Sequence, residues 1–314
     1  HGCDVKVSKL SLGSAPLSGL FRKVAETESD SLIGEALDAG IAYIDTAPLY
    51  GYGVGEIRVG RGIKGHTNQP AISTKVGRLL RPGKNTEHDK FPDSDPNIEI
   101  YFDHSAAGIR RSLEESLQRL GRDSIEIVYI HDADNWVSDA INVVYPELHK
   151  MREEGLLKAI GIGMNWCPTS VSIMKDTDLN IALIAGRFTL LDQSAQDELY
   201  LLALKKKVSI IAAGVFNSGV LANPVDGAHY DYEPASHEIL TKARAIGKYL
   251  ERYDVSLPAA ALQFPLRHPA VASVLTGAGS LSELRANIAS FDTELPAELW
   301  GDMEAAGLIA PLNL

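Results

Sequence analysis

Short runs of apolar and β-branched residues recur along this chain, and between them apolar positions return every third or fourth residue. Residues 41–47 (IAYIDTA), 71–77 (AISTKVG), 125–132 (IEIVYIHD), 158–164 (KAIGIGM), 181–188 (IALIAGRF), 208–216 (VSIIAAGVF) and 271–278 (VASVLTGA) lack strict two-residue alternation. That is the pattern of strands covered on both faces. Residues 8–15 (SKLSLGSA) supply an eighth run. Helical segments lie between them: residues 30–40 (DSLIGEALDAG) open on an acid and close on Gly40, and residues 106–121 (AAGIRRSLEESLQRLG) close on Gly121. Eight β units alternating with helices predict an α/β protein, a closed (β/α)8 TIM barrel, with a doubly wound open sheet as the rival.

Two segments break the rhythm. Residues 80–102 are polar and Pro-rich, and residues 217–236 carry Gly, Pro and Tyr; both read as long loops. Each follows a strand, so in a barrel each lies over the C-terminal face, where substrates bind. No charge block or linker divides the chain, and residues 1–314 read as one domain.

Composition narrows the class of partner. A chain of 314 residues with 45 % hydrophobic content can bury a large core. No apolar run is long enough to span a membrane, and the start HGCDVKVSKL has no apolar secretory core, so a cytoplasmic location is expected. Cys3 and Cys167 are too few for a disulfide framework, which fits a reducing compartment, and the nine histidines show no metal-ligand spacing, so no metal is expected. A net charge of −11 disfavours nucleic acid or an anionic membrane as partner and leaves a small molecule.

Residues 41–56, IAYIDTAPLYGYGVGE, carry the most suggestive chemistry. A dinucleotide fingerprint needs a third small residue where Glu56 stands, so Gly51, Gly53 and Gly55 read as a turn. Asp45 closes the second strand, Lys75 the third and His131 the fourth, with Tyr50 just past Asp45. In a barrel all four converge on the upper face. An ammonium beside a phenol favours the phenolate, so Lys75 should lower the proton affinity of Tyr50. Asp45 would hold Lys75, and His131 would hydrogen-bond the reacting oxygen. Such a site moves a proton on an oxygen and needs a cofactor to carry hydride.

At the other end, GAGSLSELRAN puts Gly277, Ala278 and Ser280 in a turn before a helix, where backbone amides and the helix dipole can meet phosphate. Ser280 can equally be an N-cap. Gly279 and Glu283 offer no cation for a 2′-phosphate, and a carboxylate can accept from a ribose hydroxyl, which favours NAD over NADP. Arg285, one turn on, is the residue that could reverse this.

The stretches DAGIAYIDTAPLYGYGVGE, STKVG, VYIHD, GIGMN and TGAGSLSELRANI resemble the aldo-keto reductase superfamily along nearly the whole chain. RSLEESLQRLG, IVYIHDAD, AGRFTLLDQSA and GVFNSGVL resemble its aldose 1-dehydrogenase-like branch, which includes fucose, galactose and pyridoxal dehydrogenases. The resemblance implies a (β/α)8 barrel with Asp45, Tyr50, Lys75 and His131 as a catalytic tetrad, Tyr50 being the general acid/base. It implies cofactor contacts from Asn165, Phe216, Asn217, Ser218, Gly219, Gly277, Gly279, Ser280, Glu283 and Asn287. Departures stand at Met164 for the usual Ser, Ala185 for the usual Gln and Ala213 for the usual nicotinamide-stacking aromatic, a role Phe216 would take over. Tyr52, Asp132, Trp136 and Trp166 are the candidate substrate contacts, with Asp134 and Asn135 as further polar partners. The implied activity is NAD-dependent oxidation of a cyclic hemiacetal to a lactone, an aldose being favoured over pyridoxal; a non-catalytic nucleotide-sensing barrel is the alternative of a different class.

Overall fold

The computed structural model describes residues 4–314; His1 and Cys3 of the sequence argument lie outside the described residues. Eight parallel strands close into a barrel, which excludes the open doubly wound sheet. They are β1 (Leu10–Gly13), β2 (Tyr43–Asp45), β3 (Ala71–Val76), β4 (Ile125–His131), β5 (Leu157–Met164), β6 (Ile181–Ala185), β7 (Ser209–Ala213) and β8 (Val271–Gly277). Each pairs with the next, and β8 closes on β1 through Leu10↔Val274 to Gly13↔Gly277.

Strand periodicity is present but hidden, because both faces are apolar. One set of alternate residues, including Tyr43, Ile127, Tyr129, Ala159, Ile181, Leu183, Ile211 and Leu275, fills the interior, and Val5 and Val7 pack against it. The other set, including Ile44, Ile72, Val128, Ile130, Ile160 and Ile162, meets the surrounding helices. The interior tolerates Tyr129 because β5 carries Gly161 beside it; a Cβ there would lie 2.7 Å from the Tyr129 ring.

Helix Ala106–Leu120 follows its sequence signals. Ser105 Oγ accepts from Gly108 N at 3.1 Å, Gly121 ends the helix at φ 65°, and Ile109, Leu113, Leu117 and Leu120 form the buried stripe. Helix Glu26–Asp38 begins a turn earlier than residue 30, with Glu26 and Glu28 in its first turn complementing the dipole.

The expected loop 80–102 is instead partly a ribbon. Arg78–Pro82 pairs antiparallel with Ile98–Phe102, in register from Arg78↔Phe102 to Pro82↔Ile98. The β-branched and aromatic IEIYF supplies one strand, and Pro82 sits where the other ends. A buried ion pair pins the ribbon's loop to the barrel, Arg58 Nη1 meeting Asp93 Oδ2 at 3.0 Å. The expected loop 217–236 likewise holds a minimal hairpin, His229–Tyr230 against Glu233–Pro234.

Glu56, the residue that breaks the nucleotide fingerprint, is fully buried. It receives Arg119 Nε at 2.6 Å and the Thr74 hydroxyl, tying helix Val54–Gly62 to helix Ala106–Leu120 and to β3. Removing one member of such a pair strands the other charge. Glu56→Ala should therefore cost about 3–5 kcal/mol of unfolding free energy, read from the urea midpoint; a loss under about 1 kcal/mol would mean that Arg119 finds water without penalty.

Candidate active site

Asp45, Lys75 and His131 occupy inward positions at the C-terminal ends of three neighbouring strands, β2, β3 and β4. Lys75 and Asp45 are each only 2 % exposed. The Lys75 ammonium donates to Asp45 Oδ2 at 2.6 Å, to the Thr46 carbonyl at 2.9 Å and to the Tyr50 hydroxyl at 3.1 Å, which uses all three of its hydrogens. The second carboxylate oxygen of Asp45 accepts from Ser73 Oγ at 2.6 Å, and Ser73 continues to the Tyr43 and Tyr129 hydroxyls. Tyr50 reaches the cluster because its loop turns sharply at Gly51, φ 63°. A Cβ at Gly51 would sit 2.5 Å from the Ser18 carbonyl. The glycine run therefore shapes the loop that carries the tyrosine. His131 stands edge-on to Tyr50, ring centroids 6.2 Å apart.

Two effects compete at Tyr50. Burial, helped by the Asp45 charge and Tyr232, raises its pKa, the Lys75 charge and hydrogen bond lower it, and the raising side prevails, leaving it pushed up to about 12. Lys75 acts in the direction expected of it, and burial outweighs it. At Lys75 burial works against the charge, but Asp45 and Tyr50 more than offset it, so the ammonium persists above its ordinary range. Burial first, then Arg78 and Lys75, hold His131 well below the usual imidazole range, so it is neutral.

Above these groups opens a cavity of about 740 Å³. Tyr50, Lys75 and His131 form part of its floor, and Asn165, Met164 and Ala185 line it from β5, its following turn and β6. The 78–102 ribbon contributes most of one wall, including Arg78, Glu87, Phe91, Ile100 and Phe102. Of the second loop only Tyr232 reaches it, held at φ 67° in a tight turn whose amide donates to Ser218 Oγ at 2.9 Å, while Arg187 binds Asp231 at 2.7 Å.

Among the expected substrate contacts, Tyr52 and Asp132 line this cavity. Trp136 and Trp166 do not. Trp136 stacks on His104 at 3.8 Å and donates to the Asp132 carbonyl, while Trp166 is 56 % exposed beside a separate depression with Cys167 and Arg187. Asp134 and Asn135 also lie outside the lining. Arg78 and Tyr232 were missed. Arg78 follows the strand-ending Gly77 and resembles any solvated arginine, and Tyr232 sits in a Gly- and Pro-containing stretch whose sequence predicts only a loop.

The expected cofactor residues cluster past the ends of the adjacent strands β7 and β8, with Gly277 ending β8 and Glu283 and Asn287 on the helix Leu281–Phe291 that follows it, apart from Asn165 after β5. Asn217, Ser218 and Gly219 take left-handed φ values of 45°, 57° and 102°. Asn217 is buried, donates to the Gly186 carbonyl at 3.3 Å, and leaves Oδ1 without a partner among the described residues. Phe216 packs, partly buried, against the outer core rather than in the cavity lining. Ser280 caps helix Leu281–Phe291, accepting from Glu283 N at 3.2 Å, while Glu283 Oε2 accepts from Gly279 N at 2.8 Å. Asn287 donates to the Gly277 carbonyl at 3.2 Å. Arg285 is drawn away into a two-bond pair with Glu35 at 2.6 and 2.7 Å. The cation beside this turn is Arg22, bonded to the Gly279 carbonyl across 257 positions of sequence, a separation no local pattern could reveal. The buried unpaired amide oxygen of Asn217 fits a hydroxyl or amide donor of a dinucleotide, whereas at the helix start the Gly279 and Glu283 amides are already taken by Glu283 and Ser280.

A family model described as the aldo/keto reductase family matches residues 9–307. The chain is 37 % identical over 327 residues to pyridoxal 4-dehydrogenase of Microbacterium luteolum, covering 97 % of this chain and 95 % of that protein. It is 37 % identical over 314 residues to D-threo-aldose 1-dehydrogenase of a Pseudomonas species, covering 96 % and 95 %. A solved aldo-keto reductase from Bacillus halodurans in its holo form superposes with a TM-score of 0.80 at 25 % identity, over 99 % of this chain and 95 % of that one.

The depressed His131 basicity has a defined sign. Below the ordinary histidine pKa of about 6.5 the unfolded chain binds a proton that the native site refuses. Stability linked to His131 is thus present at neutral pH and falls as pH drops through about 6.5, by up to about 1.4 kcal/mol per pH unit. Urea midpoints from pH 7.5 to 5.5 should decline less steeply in His131→Asn than in the wild type; parallel slopes would show that the native imidazole protonates normally.

Proposed function

This chain belongs to the aldo/keto reductase family, and on that premise we propose that it is an NAD-dependent sugar dehydrogenase that oxidises the anomeric hydroxyl of an aldose to a lactone. The observation that carries the reading is the Lys75–Tyr50 contact of 3.1 Å beside a neutral His131 on a cavity floor. Similarity over nearly the full chain to a D-threo-aldose 1-dehydrogenase supports the substrate class. Enzymes of this family use a nicotinamide cofactor, which when bound supplies the hydride acceptor.

The chain's own part is to move a proton. Tyr50 takes the proton of the anomeric hydroxyl as its phenolate, Lys75 stabilises that phenolate, and Asp45 keeps Lys75 charged and fixed. His131, neutral, offers a hydrogen bond to the reacting oxygen without adding a third charge to the Lys75–Asp45 pair. Three of the cavity's cations face acids, Lys75 on Asp45, Arg78 on Asp132 and Lys90 on Glu87, while Lys84 lines the wall without an ion pair among the described residues. Such matched pairs suit a neutral polyhydroxyl substrate better than an anionic one. Phe91, Phe102 and Tyr232 add aromatic surface to the lining, and similarity to a pyridoxal 4-dehydrogenase makes pyridoxal the second reading.

NAD is favoured over NADP because Glu283 places a carboxylate on the Gly279 amide, at the helix start where a 2′-phosphate would seek donors. Arg285 is engaged by Glu35, and Arg22, the cation beside this turn, is engaged by the Gly279 carbonyl and Glu28.

With a Tyr50 pKa of about 12, the phenolate fraction grows about tenfold per pH unit through the neutral and mildly alkaline range. We expect kcat/KM for oxidation to climb in that proportion from pH 7 to 9, and Tyr50→Phe to abolish the climb with most of the activity. NAD⁺ assays on D- and L-aldoses beside pyridoxal, with product mass, decide the substrate; turnover of pyridoxal and of no aldose selects the second reading. On the cofactor, Glu283→Gln should narrow the NAD⁺ to NADP⁺ ratio of kcat/KM by roughly tenfold, of the order of one charge contact. An unchanged ratio would remove Glu283 from cofactor choice.

A further inference from the structure

One ion pair on the cavity wall is only half used. Arg78 lies three residues past Lys75, and Asp132 follows His131 directly; their strands β3 and β4 are paired through Lys75↔Tyr129 and Val76↔Ile130. Arg78 Nη2 donates to Asp132 Oδ2 at 3.0 Å, and the same oxygen lies 3.6 Å from His131 Nε2. The pair therefore stands immediately beside the reacting position. Both residues line the cavity.

The pair retains recognition capacity on each side. Arg78 Nη1 is buried with no hydrogen-bond partner among the described residues, a state that costs free energy until an acceptor arrives. The Phe102 ring centroid lies 5.5 Å from the guanidinium, and this ring, itself 58 % exposed, is the cover that shifts to admit a substrate oxygen to Nη1. Asp132 has committed one oxygen to Arg78, keeps a side chain 35 % exposed, and is held at φ 45°, a backbone position rarely adopted outside glycine. Joined, the two carry no net charge but present a donor and an acceptor. A hydroxyl is the group that answers both, since it accepts and donates at once. An anion would satisfy Arg78 and be repelled by Asp132, and a hydrogen in place of the hydroxyl would satisfy neither.

We propose that Arg78 and Asp132 together read the hydroxyl on the carbon next to the reacting one, and so determine specificity for hydroxylated hemiacetals. The assignment rests on the oxidative reading above, and the test separates the two. Wild type, Arg78→Met and Asp132→Asn are assayed with NAD⁺ on an accepted aldose, on its 2-deoxy analogue and on 2-hydroxytetrahydropyran, a hemiacetal with no other hydroxyl. The wild type should favour the aldose over the 2-deoxy sugar by roughly a hundredfold or more, as sites built for a hydroxyl do. Each variant should collapse that ratio towards one, chiefly through loss on the aldose. Equal losses on all three substrates would overturn the proposal, marking Arg78 as a support of His131 instead. A wild type that oxidises 2-hydroxytetrahydropyran yet shows no preference for the 2-hydroxyl also overturns it while the oxidative reading stands. A wild type that oxidises no hemiacetal overturns both.

Discussion

A lysine ammonium inside the mouth of a barrel is the constraint around which this protein is arranged. Removing a charge from water costs several kcal/mol unless it is paired and fully hydrogen-bonded. Lys75 meets that condition only where Asp45, the Thr46 carbonyl and Tyr50 stand together, and Asp45 in turn leans on Ser73, Tyr43 and Tyr129. The network crosses three neighbouring strands on one face. A one-residue slip of β3 would turn Lys75 into the apolar helix layer and leave Asp45 buried alone. Barrel register and candidate chemistry are thus one requirement.

The same dryness has opposite effects on the groups it surrounds. It raises Tyr50 and lowers His131, each towards its neutral form, whereas Lys75 stays charged because a carboxylate lies within 2.6 Å. The Lys75–Asp45 pair keeps its charges, whereas the buried groups without an opposite partner of that kind, Tyr50 and His131, are held neutral. The resting state is a protonated phenol beside a neutral imidazole, and the base available here is the minor phenolate that Lys75 stabilises.

The barrel was legible because eight apolar runs and their intervening helices follow local rules, and Asp45, Tyr50, Lys75 and His131 were legible because each marks a strand end or the turn after it. Contacts set by distant chain segments were not. Arg22 meets Gly279 across 257 positions, Arg285 is captured by Glu35 across 250, and Phe102 covers Arg78 only because a ribbon forms where polar residues and prolines suggested a loop. Trp136 and Trp166 drew notice as aromatics near a strand end, but sequence position does not state side-chain direction, and they pack elsewhere. The balance at Tyr50 was also invisible, since its sign depends on how much water the fold removes.

The cavity divides its labour between parts of unequal rigidity. Its floor is fixed by strands and by the Lys75 network, while its wall belongs to a ribbon pinned from outside, through Arg58 on Asp93 and the Phe21 amide on the Lys90 carbonyl. Neither pin touches the floor. The wall can therefore change with little effect on proton transfer, which is how barrels of one architecture accept different substrates. Tyr52, two residues past Tyr50, touches the wall at Glu87 and Phe91, and Arg78 reaches further, because it begins the ribbon, pairs with the residue after His131 and depresses His131 basicity. Through it a change in the wall reaches the floor, so selectivity and proton affinity at this mouth are physically linked rather than independently adjustable.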